Sequence, residues 1–172
     1  ELAETSDLKL LQTTPYVVVA PRDAQGVVHI VSACAQSGWR VMALGSGGSF
    51  PGNFAIRHHN TVAVMLRQLR EAKLNESGRV VLQCGVETKA VYGADVPCER
   101  KTVGGLICGH GNRDTLHLAN DLRERVVSFE TVDAMGIQRM TPGPASPAFA
   151  LASGNSVISH SRGRLGILLS IT

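Results

Sequence analysis

Gly45, Ser46, Gly47, Gly48 and Ser49 stand together after a short apolar run, and Phe50, Pro51 and Gly52 follow them. Small side chains let several backbone N–H groups converge in a concave nest, which suits the oxygens of a phosphate or pyrophosphate. The hydroxyls of Ser46 and Ser49 would add donors. Gly and Ser make a flexible connection equally well, so the stretch has to be tested against known phosphate-binding patterns. A P-loop needs Lys and then Ser or Thr directly after its last Gly, whereas Gly52 is followed by Asn53 and Phe54. The dinucleotide GxGxxG fingerprint needs a third Gly where Phe50 stands, and Pro51 and Gly52 prevent an immediate helix. What is left is a nest that works through loop backbone amides.

Other side chains capable of chemistry are less well placed. His58 and His59 follow the loop, but neighbours on an extended segment point to opposite faces, so at most one could meet a ligand. His110 sits between glycines in "CGHGN", while His29, His117 and His160 have no partner that the sequence identifies. Ser46 and Ser49 lack the GxSxG strand–turn–helix context of a hydrolase nucleophile. Asp114, Asp121 and Glu124 are spaced as on a solvated helix face, and paired-carboxylate catalysis would require a cleft around them. The cysteines at 34, 84, 98 and 108 form no CxxC pair, and no His stands at zinc-ligand spacing beside two of them. Cys34 and Cys84 fall in apolar patterns, where free cysteine behaves as a small hydrophobe.

The elements that must position the loop follow from periodicity. Tyr16 to Ala20 is β-branched and apolar and predicts a strand. Asp23 is a candidate N-cap, and Val27, Ile30, Val31 and Cys34 recur at helical spacing, so residues 23 to about 37 predict an amphipathic helix closed by Gly38. Strands are expected at Arg40 to Leu44 and at about Thr61 to Leu66, which places the small-residue loop after a strand–helix–strand unit. Residues 67 to 78 read as an exposed connection, Arg79 to Cys84 as a strand and Glu87 to Lys101 as loop. Val126 to Val132 and Ile137 to Met140 read as a hairpin. A Pro-rich turn at 142 to 147, a short helix around Phe149 and a last strand from about Gly166 to Thr172 complete the pattern. Few helices are expected in this second half, which implies mostly antiparallel pairing.

With 172 residues, 44% of them hydrophobic, the chain can bury one sizeable core. Its formal charge is only +3, no Lys/Arg stripe is present, and the aromatic residues are scattered, which argues against nucleic-acid binding. No apolar run reaches the roughly 18 residues of a membrane span, and no secretory signal opens the sequence. A soluble, cytoplasmic chain without membrane insertion is the expectation. Its first residue is Glu1, as in a trimmed or processed chain.

From Pro21 to Ala55 the sequence resembles the opening of the FAD-binding domain of the vanillyl-alcohol oxidase and p-cresol methylhydroxylase (PCMH) type, in which a Gly/Ser loop wraps the FAD pyrophosphate. Further likenesses come in the family's order: "VVLQCGV" at 80 to 86, "TVGGLI" at 102 to 107, "LRERVVSFETVDAMG" at 122 to 136 and "GRLGILLSIT" at 163 to 172. The resemblance covers about residues 15 to 172. Three departures matter. Gly48 stands where many members carry a histidine bonded to the flavin, and Leu169 and Ser170 replace the usual Thr and Glu of the closing strand. The segment between Val86 and Thr102 is also short for the family.

The resemblance implies an α+β, two-lobed PCMH-type FAD-binding fold over residues 1 to 172. An N-terminal α/β lobe would span about 15 to 66 and a mostly antiparallel lobe about 79 to 172, with no cap domain. It implies non-covalent FAD, with Gly45, Ser46, Gly47, Gly48, Ser49 and Gly52 holding the pyrophosphate. Thr102, Gly104 and Gly105 would back the flavin, and Leu165, Gly166 and Ile167 would border adenine. The expected activity is that of a flavin-dependent oxidoreductase taking a hydride from a small alcohol or 2-hydroxy acid. Either the chain is a fragment or a partner subunit, as in multi-subunit glycolate-oxidase-like assemblies, or its substrate side would be completed by oligomerisation. Alternatives are an NADPH-reducible reductase of the cell-wall precursor type, a non-catalytic FAD or nucleotide module that stabilises a partner, and a structural α/β domain. FAD binding separates the last from the rest.

Overall fold

The structure, a computed structural model, describes residues 17–46, 60–93, 101–108, 115–146 and 166–172. Strand β1 (Val17–Val19) leads into helix α1 (Ala24–Gln36), then β2 (Arg40–Leu44) and β3 (Thr61–Met65). The three strands form a parallel sheet in the order β1-β3-β2. α1 starts where expected because the Asp23 carboxylate accepts the Gly26 N–H at 2.7 Å, and it ends before Gly38, whose φ is +66°. Its buried stripe is Val27, Val31 and Cys34.

All five residues of β3 are buried, as befits a central parallel strand covered on both faces. Side chains alternate across it. Val62 and Val64 join the cluster that holds α1, whereas Ala63 and Met65 join Val18, Ala20 and Leu44 on the opposite face.

A 3-10 turn at Leu66–Gln68 leads to the second sheet, made of β4 (Ala72–Leu74), β5 (Val80–Gln83), β6 (Ser128–Val132), β7 (Gln138–Pro142) and β8 (Ile167–Ile171). The order is β4-β5-β8-β6-β7, with every pairing antiparallel. The α+β class, with a parallel lobe followed by an antiparallel one, is thus observed. Three expectations are corrected. Residues 67 to 78 are more than a connection, since β4 pairs with β5 through a turn in which the Asn75 side chain accepts the Ser77 and Arg79 N–H groups. β4 is exposed throughout, so it carries no alternating pattern. Within the expected loop at 87 to 101, Thr88–Tyr92 forms the short helix α2, stopped by Gly93 at φ +90°. Helices α3 (Val103–Cys108) and α4 (Leu116–Arg125) also lie in the second half, which is therefore less poor in helices than expected. The expected helix around Phe149 lies outside the described residues.

One hydrophobic cluster joins the two sheets, with Val27 and Val31 of α1, Leu106 and Ile107 of α3, Phe129 and Val132 of β6, and Leu169 and Ile171 of β8. The β6–β7 turn rests on α1: a Cβ built on Gly136 would fall 1.9 Å from Ser32 Oγ. Among the described residues, no helix is long and apolar enough to cross a membrane.

Candidate cofactor site

β2 ends on buried Leu44, and the small-residue loop leaves the sheet through Gly45 and Ser46, both half-buried. Across from it lies the start of α3. Val103 N–H donates to Val86 O and Gly104 N–H to Cys84 O, each at 2.8 Å, so α3 hangs from the residues that follow β5. The close approach accounts for the first glycine of the pair, since a Cβ on Gly104 would meet Cys84 Cβ at 2.8 Å. Gly105 has a different part. A Cβ there would meet, among the described residues, Thr102 Oγ1 at 3.2 Å and nothing else outside its own helix within 4 Å. On the facing loop, a Cβ on Gly45 would meet Thr102 Oγ1 at 3.0 Å and the Gly105 Cα at 3.9 Å. Gly45 and Gly105 thus approach one another without an intervening side chain, over the Thr102 hydroxyl.

Thr102 is 2% exposed, and its Oγ1 accepts the Gly105 N–H at 3.1 Å. The hydroxyl can also donate one proton, and among the described residues nothing accepts it. A buried donor without an acceptor is costly. A ligand oxygen within reach of the hydroxyl, beside the Gly45–Gly105 contact, would remove that cost.

The surroundings are tied down by hydrogen bonds. The carbonyl of Lys101 accepts from Thr88 N at 2.9 Å and Thr88 Oγ1 at 3.1 Å, while Lys101 Nζ donates to buried Thr115 Oγ1 at 2.8 Å. Tyr92 OH donates to Leu118 O at 3.0 Å and reaches Asp121 Oδ2 at 3.2 Å, joining α2 to α4. Arg123 of α4 donates twice to Ile107 O at the far end of α3, through Nε at 3.0 Å and Nη2 at 2.7 Å. Burial lowers the pKa of this guanidinium below its ordinary value. Cys84, under Gly104, is buried, and burial pushes its thiol up to about 12. It is a packing residue rather than a nucleophile.

Gly45, Ser46, Thr102, Gly104 and Gly105 are therefore brought to one place by elements from both sheets. Gly166 and Ile167 lie elsewhere, at the start of β8. Gly166 has φ +102°, and a Cβ there would meet Val132 O at 1.9 Å, so the glycine lets β8 enter across the end of β6. Leu169, which accepts the Cys84 N–H at 2.7 Å, is further along β8, about 10 Å from Gly166 at the rise of an extended strand. Gly47, Gly48, Ser49, Gly52 and Leu165 lie outside the described residues, as do His58, His59, His110 and His160. His29 is exposed and hydrogen-bonds Gln25 at 3.0 Å, a partner one helical turn away. Asp121 pairs with Arg125 at 2.9 Å. Ser170 donates to Glu130 Oε2 at 2.6 Å across the second sheet. Among the described residues, no three His, Cys, Asp or Glu side chains assemble a metal site.

Sequence reasoning missed Arg123, Lys101 and Thr115. They act over separations of 14 to 16 residues, which leave no local pattern. The Gly-Gly pair after a strand that ends in Cys was the available signal for the Cys84 contact.

Comparison with known proteins bears on the family and the fold. The family described as FAD binding domain matches residues 15–141. No curated protein matches the sequence. Among solved structures, alkyldihydroxyacetonephosphate synthase superposes with a TM-score of 0.68 at 18% identity, over 91% of this chain and 31% of that one. A variant of Phl p 4, a glucose dehydrogenase, gives 0.66 at 17% identity over 92% of this chain and 34% of that one. Chitooligosaccharide oxidase gives 0.65 at 14% identity over 99% and 39%. The chain thus spans about a third of the length of these proteins, and the likeness is one of fold. The FAD-binding expectation stands: the chain belongs to the FAD binding domain family of PCMH-type flavoproteins.

Proposed function

We propose that this chain holds FAD non-covalently, with the pyrophosphate on the loop that begins at Gly45 and the flavin against Thr102, Gly104 and Gly105. The activity it serves is oxidation of a small alcohol or 2-hydroxy acid. One observation carries the placement: Gly45 and Gly105 face each other without side chains over a buried Thr102 hydroxyl whose proton has no acceptor among the described residues. Bound FAD supplies the redox chemistry by accepting a hydride equivalent. The residues of this chain bind and orient it. The pyrophosphate donors we assign are the Ser46 and Ser49 hydroxyls and the backbone amides of Gly45, Gly47, Gly48 and Gly52. Gly48 has no side chain to bond to the flavin, which supports non-covalent binding through this loop. Leu165, Gly166 and Ile167 border adenine.

The proton acceptor for substrate oxidation we assign to a cap domain, a partner subunit or a second copy, on the family resemblance. Two of the structures similar in fold are named for oxidation of sugars, so sugars belong beside alcohols and 2-hydroxy acids in a substrate panel.

The experiment is a visible spectrum of the purified protein with FAD, where a flavin band at about 450 nm is expected. Acid precipitation should then release the flavin into the supernatant; flavin retained in the pellet would refute the non-covalent reading. With the cap or partner subunit that completes the site present, anaerobic addition of the panel should bleach the band with an alcohol or 2-hydroxy acid. A completed holoprotein bleached by neither class would overturn the substrate assignment.

A further inference from the structure

We infer that Arg123 is a positioning residue for the FAD site and acts through α3. The inference rests on the FAD placement proposed above. α3 spans only the six residues Val103–Cys108, two of them glycine and two β-branched, a composition with little helical preference of its own. Its position is imposed from both ends. The first turn hangs from Cys84 and Val86 through the Gly104 and Val103 N–H groups. At the last turn, where helix carbonyls lack intrahelical partners, the Ile107 carbonyl receives two N–H donors from Arg123. A cation at that end is also favoured by the helix dipole.

The guanidinium is itself oriented. Its Nη1 donates to Asn120 Oδ1 at 3.3 Å, and it projects from α4, whose Ala119 and Leu122 are buried in the shared core. α3 is thereby clamped between β5 and α4. The same helix carries Gly105 opposite Gly45, where the space for a Cβ is already closed to 3.0 Å by the Thr102 hydroxyl. A shift of α3 by a few tenths of an ångström would move Gly105 and Thr102 against the loop. Arg123 touches neither and still sets their distance.

The test compares Arg123→Gln, Arg123→Lys and Gly105→Val in the full chain, with FAD affinity from flavin fluorescence titration and the melting temperature of the FAD-free protein measured in parallel. Loss of both charged donors should weaken FAD binding about ten- to a hundredfold in the folded Arg123→Gln protein. Arg123→Lys, with one ammonium in place of a two-point fork, should fall between it and wild type. A lower melting temperature with wild-type affinity would mean a purely structural arginine and would overturn the inference. Should Arg123→Gln fail to fold, Arg123→Lys decides: weakened affinity supports positioning, and wild-type affinity refutes it. Gly105→Val separates the two levels. If it binds FAD like wild type, the proposed placement itself fails; if it loses FAD while both Arg123 variants bind normally, only the role of Arg123 fails.

Discussion

Thr102 is buried, its hydroxyl oxygen takes the Gly105 N–H beside the contact between Gly45 and Gly105, and its own proton has no acceptor among the described residues. Thr102→Val keeps the shape and removes both functions. It should weaken FAD binding about tenfold, whereas Thr102→Ser should bind nearly as wild type; equal affinities for all three proteins would take the hydroxyl out of the site. Cys84 offers a second test. With burial raising its thiol from the ordinary 9.0 to about 12, it should resist a disulfide reagent at about pH 8 in the native protein and react once urea unfolds it. The raised folded value also sets the sign of its pH dependence. Its contribution to stability is complete below pH 9.0 and is lost as pH rises through about 12. At this scale the sequence could name Gly104 and Gly105 as a pair but not divide them. They are chemically identical, and only the phase of α3 turns one toward Cys84 and the other toward the Thr102 hydroxyl.

Among the elements, α1 was legible because each of its signals is local: the Asp23 cap, the three- and four-residue spacing of Val27, Val31 and Cys34, and Gly38 after its end. β4 and α2 were not. An edge strand with every residue exposed has no buried face to write a pattern, and five residues are too few for helical periodicity. The β6–β7 hairpin was read to within two residues of its ends, and its turn rests on Asp133, which accepts the Met135 N–H at 2.9 Å, the Ile137 N–H at 3.0 Å and Arg139 Nε at 2.9 Å. The hydrogen bond from Ile137, then those from Arg139 and Met135, hold this carboxyl below its ordinary 3.8. Its folded value is depressed, so its contribution is complete above pH 3.8 and is lost as pH falls through the folded value. Urea midpoints of wild type and Asp133→Asn should therefore converge as the pH is lowered. A constant gap down to the acid limit would remove Asp133 from the acid response.

For the whole molecule, the decisive contact is between lobes. Gly136 lies on α1 with its would-be Cβ 1.9 Å from Ser32 Oγ and 3.0 Å from Ser32 N, and its φ is +81°. Gly136→Val should cost about 2 kcal/mol or more through strain and steric conflict. Because one core cluster runs through both sheets, unfolding should remain a single transition, with Trp39 fluorescence and far-UV circular dichroism giving the same urea midpoint. Separate midpoints would show lobes that fold independently. The sequence by itself determined the strand–helix–strand unit, the closing antiparallel strands, the small-residue loop and the family to which they belong, since these rest on periodicity, capping and short motifs. Tertiary structure alone decided that Gly45 meets Gly105 over a buried hydroxyl and that Arg123 clamps the helix carrying one of them. Those contacts join residues far apart in the chain, and their geometry is set by the packing of two sheets on one core.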